Sequence, residues 1–143
     1  MFSDMVNDLT IEERLAHAQL MVAVATVDGE LVQEELMMIE ALMGKSMLHP
    51  EMRVDVRNML NHPIKLEKTM NILSPKGKKL ALRDAILISA CDGDYDKKEI
   101  RIISKIAKIA TIDKERLSLL YEWVSEYWTC YNRSSDIIFE ENA

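Results

Sequence analysis

The chain has 143 residues, of which 48% are hydrophobic, and its formal net charge is −6. This length and apolar share suit a single domain with a buried core and argue against global disorder. The acidic balance argues against nucleic acid as a partner, because phosphate backbones bind clusters of Lys and Arg.

The sequence also carries expectations about location. Residues 1–8 contain acids and no basic cluster, so no signal peptide is visible. The longest apolar run, residues 20–27, is shorter than the about 20 residues that a spanning helix needs. We therefore expect a cytoplasmic protein without membrane insertion. Cys91 and Cys130 lie in apolar stretches and are expected to be reduced core thiols, with a disulfide between them as the alternative.

The first half of the chain predicts three helices. Thr10 and Glu13 have the spacing of a capping box, which predicts the start of a helix that is apolar almost all round. Gly29 is the expected left-handed residue at its end. A second helix follows Val32, which stands at the N-cap without a capping side chain, and Pro50 suits the first position of a third.

A bridge and a second half follow. Pro63 is expected to end the third helix and open a short one that reaches Leu73. Ser74, followed by proline, predicts the cap of a second nearly all-apolar helix.

Gly93 is expected to end this second apolar helix, and the acids after it predict the caps of two more. Asp96 and Glu99 form another capping-box pattern, and Asp113 caps a last helix that should run to about Tyr131. Residues 134–143 are expected to be a loose acidic tail.

The two halves repeat each other at an offset of 64 residues. At that offset Asp28-Gly29-Glu30 aligns with Asp92-Gly93-Asp94, and Glu35 aligns with Glu99. No strand pattern is visible. The sequence therefore predicts an all-α bundle of about seven helices, built by internal duplication as one domain over residues 1–133, with copies at about 10–61 and 74–131.

The acidic turns have two interpretations. Capping acids and turn glycines are what helix ends need even if nothing binds. The acids of the second turn are denser than caps require, however, and Asp-Gly-x5-Glu resembles the second half of an EF-hand loop. The first half of that loop is missing, because its ligand positions would be Ile88 and Ala90. A weaker oxygen site for Ca²⁺, Mg²⁺ or Mn²⁺ is the alternative. The candidate ligands are Asp28, Glu30, Glu35, Asp92, Asp94, Asp96 and Glu99.

An apolar helix that runs into Asp-Gly-acid, followed by a cap and a glutamate that opens another apolar helix, resembles the TerB-like tellurite-resistance family. The resemblance spans about residues 10–131, in both copies. It implies an all-helical duplicated fold, a role in bacterial tellurite and stress responses, and metal binding by the acidic residues. The first copy departs from the pattern at Val27 and Val32, so its site is expected to be the weaker one.

No catalytic constellation is visible, and we expect the protein not to be an enzyme. His17, His49 and His62 have no spacing that suits zinc or haem, and His17 is expected to be a hydrogen-bonded residue of the first central helix. Met37 and Met52 are expected either to fill the core or to line an adaptable groove for a partner helix. Two functions follow: a metal-responsive stress protein of the tellurite-resistance type, or a metal-free adaptor whose acidic face docks a basic or helical protein partner.

Overall fold

The regular structure is helical throughout the residues that the computed structural model describes, which are 4–27, 29, 31–62, 64–91 and 95–139. A short 3-10 helix spans Met5–Asp8. The α-helices that follow are α1 (Ile11–Ala25), α2 (Gln33–Lys45), α3 (Pro50–Asn58), α4 (Leu66–Ile72), α5 (Pro75–Ser89), α6 (Lys97–Ile109) and α7 (Lys114–Phe139). The predicted all-α fold of about seven helices is confirmed. None of these helices combines the length and the apolar character needed to cross a membrane.

The two halves match element by element at the predicted offset. Helices α1 and α5 each have 15 residues and α2 and α6 each have 13, and every start and end is separated by 64 positions. The turns that follow α2 and α6 match as well, because Met47 and Thr111 adopt left-handed backbone angles, φ 54° and 58°. Contacts follow the same rule: α1 packs on α2 and α3 as α5 packs on α6 and α7. Helix α4 has no separate counterpart among the described residues, because the positions at the same offset, 130–136, belong to α7.

The core is built around α1 and α5, which pack directly against each other. Both helices are buried over most of their circumference, as their sequences predict, because an apolar surface on all sides is stable only when neighbours cover every side. Leu20 and Met21 of α1 and Leu82 and Ile86 of α5 are fully buried. The prediction that these two helices form the centre of the bundle is confirmed.

The predicted helix starts are also confirmed. The side-chain oxygens of Thr10, Ser74 and Asp96 accept hydrogen bonds from amides in the first turns of α1, α5 and α6. Pro50 is the first residue of α3, and Val32 precedes α2 without a capping side chain. These ends depend on residues close in sequence, which is why the pattern alone located them.

Two helix boundaries differ from the prediction. Helix α3 ends at Asn58 and α4 begins only at Leu66, so a turn separates them; Pro63 itself lies outside the described residues. Helix α7 continues to Phe139, beyond the predicted end at Tyr131. Residues 132–139 contain no glycine or proline to stop a helix, although all of them are exposed.

Candidate functional site

The acidic turns are described in part. Gly29 has the expected left-handed conformation, φ 87°. Glu35 and Glu99 are buried, and each carboxylate accepts a hydrogen bond from the N-cap amide of its own helix, from Val32 at 3.3 Å and from Asp96 at 3.1 Å. Asp96 in turn accepts from the amide of Lys98 at 2.7 Å. These three predicted metal ligands therefore serve as helix caps.

The other predicted ligands, Asp28, Glu30, Asp92 and Asp94, lie outside the described residues, as does Gly93. Across the ranges that are described, no group of three or more His, Cys, Asp and Glu side chains is arranged to hold a metal ion.

A buried polar pair links the two central helices. His17 of α1 is fully buried, and its Nε2 lies 2.8 Å from Oδ2 of Asp84 on α5. The predicted hydrogen-bonded role of His17 is confirmed. Because the carboxylate accepts, Nε2 carries the proton. The other ring nitrogen, Nδ1, is buried without a hydrogen-bonding partner in the described structure.

Arg83 extends the pair to the N-terminal segment. Its Nε donates to Oδ1 of Asp84 at 2.8 Å, and its two terminal nitrogens donate to the carboxylate of Asp4 at 3.1 and 2.7 Å. Burial opposes ionisation of Asp84, but hydrogen bonds and charge from His17 and Arg83 hold its pKa below the usual range. Burial likewise opposes ionisation of Asp4, and the bonds from Arg83 overcome it to lower its pKa to about 2.

The duplicated half has no polar pair at the equivalent positions. At the 64-residue offset, His17 corresponds to Ala81 and Asp84 to Leu20, and both of these counterparts are fully buried. The same place in the fold is thus filled once by a polar pair and once by an apolar pair. An acid within the apolar run of α5 was the one sequence signal for it, because such a group is buried only with a partner.

A second shared acid lies at the start of the central helices. Glu13 accepts from the amide of Ser74 at 2.7 Å and from that of Thr10 at 3.2 Å, so one carboxylate serves the N-termini of both α5 and α1. Its counterpart at the offset is Gly77, where an added Cβ would lie 3.0 Å from Oε1 of Glu13. These hydrogen bonds lower the pKa of Glu13, as expected where two positive helix ends meet.

An open groove of about 590 Å³ lies between α2 and α7. We call it the α2–α7 groove. Its lining is mainly apolar and aromatic. Its walls and floor are formed by Met37, Met38, Ala41, Ala90, Cys91, Tyr127, Trp128 and Tyr131, with Glu34 and Asn132 as the polar residues. A smaller cavity of about 200 Å³ adjoins it along α2 and reaches Lys45 and Asp84.

Several side chains fix the shape of this groove. The indole nitrogen of Trp128 donates to the carbonyl of Leu87 on α5 at 3.2 Å, which ties α7 to the central helix. Tyr127 and Tyr131 contact the Trp128 ring edge to face, with centroids 5.3 and 5.7 Å away. The two walls of the groove therefore differ in rigidity: the aromatic rings on α7 are held in place, whereas the methionine side chains on α2 are flexible.

The methionines and cysteines are placed only partly as predicted. Met37 is 62% exposed and lines the groove, whereas Met52 packs against the core. The expectation of core thiols is wrong: Cys91 is half-buried in the groove and Cys130 is exposed on α7, and neither is in a disulfide. An apolar stretch of sequence does not tell which side of a helix faces solvent.

The other half of the molecule has a cavity of about 420 Å³ at the equivalent place, but its lining is different. At the 64-residue offset Glu34, Met37 and Ala41 correspond to Lys98, Arg101 and Lys105, and these cations are exposed on α6. Helix α4 lies beside them, with Glu67 paired to Lys105. The duplicated surfaces have thus diverged: the one on α2 is apolar with an acid, and the one on α6 is basic.

Comparisons with protein-family models, with curated proteins and with solved structures found no match for this chain.

Proposed function

We propose that this protein is a non-enzymatic helical interaction module, which binds a basic amphipathic segment of a protein partner in the α2–α7 groove. The observation that carries the proposal is the groove itself, about 590 Å³ of open space with a mainly apolar lining in a chain of net charge −6. The resemblance to the tellurite-resistance family makes a bacterial stress response the setting that we propose.

The lining suits an apolar helix face. Aromatic and methionine side chains dominate it, and these residue types are enriched where proteins bind other proteins. Met37 and Met38 can repack around different apolar side chains, while Tyr127 and Trp128 offer rigid area that loses little entropy on binding. Grooves of this kind take amphipathic helices through apolar residues at helical spacing.

Charge at the groove favours a basic partner. Glu34 is exposed at its edge, and the floor ends at Cys91, directly before the acids Asp92 and Asp94 in the sequence. Lysine or arginine beside the apolar face of a partner helix would meet the carboxylate of Glu34. Such contacts mainly raise the association rate and exclude acidic competitors.

The experiment uses two synthetic amphipathic peptides, one of leucine and lysine and a matched one of leucine and glutamate. We expect the intrinsic tryptophan fluorescence of the full chain to change with the basic peptide only, and the affinity to fall with added salt. Equal binding of both peptides, or binding of neither, would contradict the proposal.

Variants locate the contact. Met37→Arg and Ala41→Arg introduce a long basic side chain at two exposed positions. The equivalent positions of the second half hold Arg101 and Lys105, so we expect both variants to fold. Each variant should raise the dissociation constant of the basic peptide by about tenfold or more. Val54→Arg is the matched control, because Val54 is an apolar residue of α3 with 51% exposure, away from the groove. Loss of binding in the control as well would refute a groove-specific contact.

Divalent-cation binding by the acidic turns is the second candidate. Asp96 and Glu99 already cap α6, so Asp92 and Asp94 are carboxylates beyond those that the caps require. With half of an EF-hand loop missing, we expect a dissociation constant of roughly 10⁻⁴ to 10⁻³ M. Thermal melting with millimolar Ca²⁺, Mg²⁺ or Mn²⁺ should then show stabilisation that Asp92→Asn with Asp94→Asn abolishes. Wild-type melting that is unchanged by any of these metals would reject this candidate.

A further inference from the structure

The C-terminal half of α7 extends away from the bundle. Every residue from 129 to 139 is exposed, and the apolar ones are open over most of their surface: Tyr131 61%, Ile137 64% and Ile138 71%. A helical segment of this length is only marginally stable on its own in water, because most helices in proteins are stabilised by packing against a neighbour.

Five exposed residues of α7, four of them apolar, lie at coiled-coil spacing. From Trp123 they recur at alternating steps of four and three residues, which places them on one side of α7, with Tyr131 and Ile138 flanking the line. The positions along this line, which we call the α7 stripe, are Trp123, Tyr127, Cys130, Ser134 and Ile137. Tyr127 also lines the α2–α7 groove, so a second copy and a partner segment compete for this residue. A line of this period is typical of a helix that pairs with another helix.

We propose that the α7 stripe is the interface of a homodimer, in which the α7 helices of two copies pack antiparallel about a two-fold axis between Trp128 and Thr129. The two-fold makes the same patch serve both copies, so the stripe must complement itself. The sizes of the side chains in the stripe, the charges beside it and its exposed area are each consistent with this requirement.

Side-chain size favours the antiparallel arrangement. It places the large Trp123 opposite Ser134 of the second copy, and Tyr127 opposite Cys130 of the second copy. Each layer then combines a large and a small side chain, which is how facing layers fill space evenly. A parallel pair in register would instead stack two tryptophans in one layer and two serines in another, leaving crowded layers beside empty ones.

Charge favours the same arrangement. Glu126 and Arg133 lie one heptad apart on the same flank of the stripe, and both are exposed. In an antiparallel pair these flanking positions face each other, so Glu126 of each copy meets Arg133 of the other, and the contact occurs twice. In a parallel pair the same residues would face Tyr131 and Ile138, which carry no charge.

The exposed area is sufficient for a stable dimer. A fully buried aromatic side chain removes about 150–250 Å² from water. On that scale the exposed parts of the stripe and its two flanking residues, together with the 58% exposed Leu119, amount to roughly 600–700 Å² per copy. A standard stable interface buries about 800 Å² per partner, and the helix backbone and charged flanks supply the remainder.

Sedimentation velocity of the full chain tests the interface. We expect a dimer at micromolar concentration, and a monomer for the double variant Ile137→Glu with Ile138→Glu. Both positions are mostly exposed, so the far-ultraviolet circular dichroism of the folded bundle should be retained. Val54→Glu is the control that should remain dimeric. A wild-type chain that stays monomeric at high micromolar concentration overturns the proposal.

Charge reversal tests the orientation. Glu126→Arg alone and Arg133→Glu alone each replace two attractive contacts by two repulsive ones, so each should raise the dimer dissociation constant by about tenfold. The double reversal restores opposite charges and should restore dimerisation. If the double variant is no tighter than the single ones, the antiparallel pairing is wrong.

Oxidation of Cys130 is an independent check. In the proposed arrangement the two copies of Cys130 are staggered along the axis and are too far apart for a disulfide without backbone movement. A parallel pair would bring them into the same layer. Rapid formation of a disulfide-linked dimer on mild oxidation, lost in Cys130→Ser, would therefore overturn the antiparallel arrangement.

Discussion

The His17–Asp84 pair offers a sharp test of how the duplicated core is stabilised. In the variant Asp84→Leu, the buried Nε2–H of His17 loses its acceptor at 2.8 Å, and Arg83 keeps only its bonds to Asp4. Removing one partner of a buried polar pair costs about 3–5 kcal/mol, because the other is left uncompensated. We expect about 3 kcal/mol, at the lower end, since Arg83 keeps its pairing with Asp4 and His17 is the group left unpaired.

The molecule itself supplies the compensating change. The symmetry-related place holds Leu20 and Ala81, both fully buried, so the double variant His17→Ala with Asp84→Leu installs the same apolar pair at a similar total volume. Replacing a buried polar pair by packed apolar residues is often neutral or stabilising. We therefore expect the double variant to recover at least half of the stability that Asp84→Leu loses.

Urea denaturation followed by circular dichroism measures both effects. The midpoint should fall for Asp84→Leu with an unchanged slope, and the melting temperature should fall by about 10 °C for a domain of this size. The double-mutant cycle then isolates the coupling between the two positions. A loss below about 1 kcal/mol for Asp84→Leu, or a double variant no more stable than Asp84→Leu, would refute the role that we assign to the pair.

Three further predictions concern local features. Glu13→Ala should cost about 2 kcal/mol, because amides at two helix N-termini lose their acceptor, whereas the exposed neighbour Glu12→Ala should change the free energy of unfolding little. Asp96→Ala should lower the free energy of unfolding by about 1 kcal/mol, and Val32→Asp should raise it by part of that amount, because residues 96 and 32 are equivalent N-caps with and without a capping side chain. Urea denaturation that shows no loss for Asp96→Ala would contradict the capping assignment. Asp4→Asn should remove a pH dependence: a lowered pKa of about 2 means that the ionised Asp4 contributes stability above the unfolded pKa of about 3.9 and loses it as pH falls towards 2. Thermal melts between pH 5 and 2 should therefore show a smaller fall for the variant than for wild type.

Features that depend on neighbours in sequence were predictable from the sequence. The caps at Thr10, Ser74 and Asp96, the first residue of α3 at Pro50 and the left-handed Gly29 are each determined by backbone groups within a few residues. The duplication extended this local information, because each copy predicted the boundaries of the other. The end of α7 was not predictable in this way, since its last turns contain no residue that either stops or requires a helix.

Features that depend on contacts between helices were not predictable. The histidine and aspartate pattern does not indicate that residue 17 meets residue 84, because the two are 67 positions apart and the crossing of α1 and α5 alone brings them together. The α2–α7 groove is similar: Met37 was a candidate from its residue type, but Tyr127 and Trp128 join it only through the packing of α7 on α5. The predicted metal ligands fall into two groups: Glu35, Asp96 and Glu99 accept hydrogen bonds at helix N-termini, and the other four lie outside the described residues.

The divergence between the halves indicates where function resides. A duplicated core keeps its packing when the buried positions stay apolar, and the two central helices mostly obey this rule: besides the polar pair, their buried polar side chains are Glu13 and Ser89. The surfaces have not been conserved between copies: Met37 and Ala41 on α2 correspond to Arg101 and Lys105 on α6. Helix α7 also continues to Phe139, whereas its counterpart α3 ends at Asn58. The extra turns of α7 form one wall of the groove and carry the exposed stripe, so both proposed contacts depend on the element by which the second copy exceeds the first.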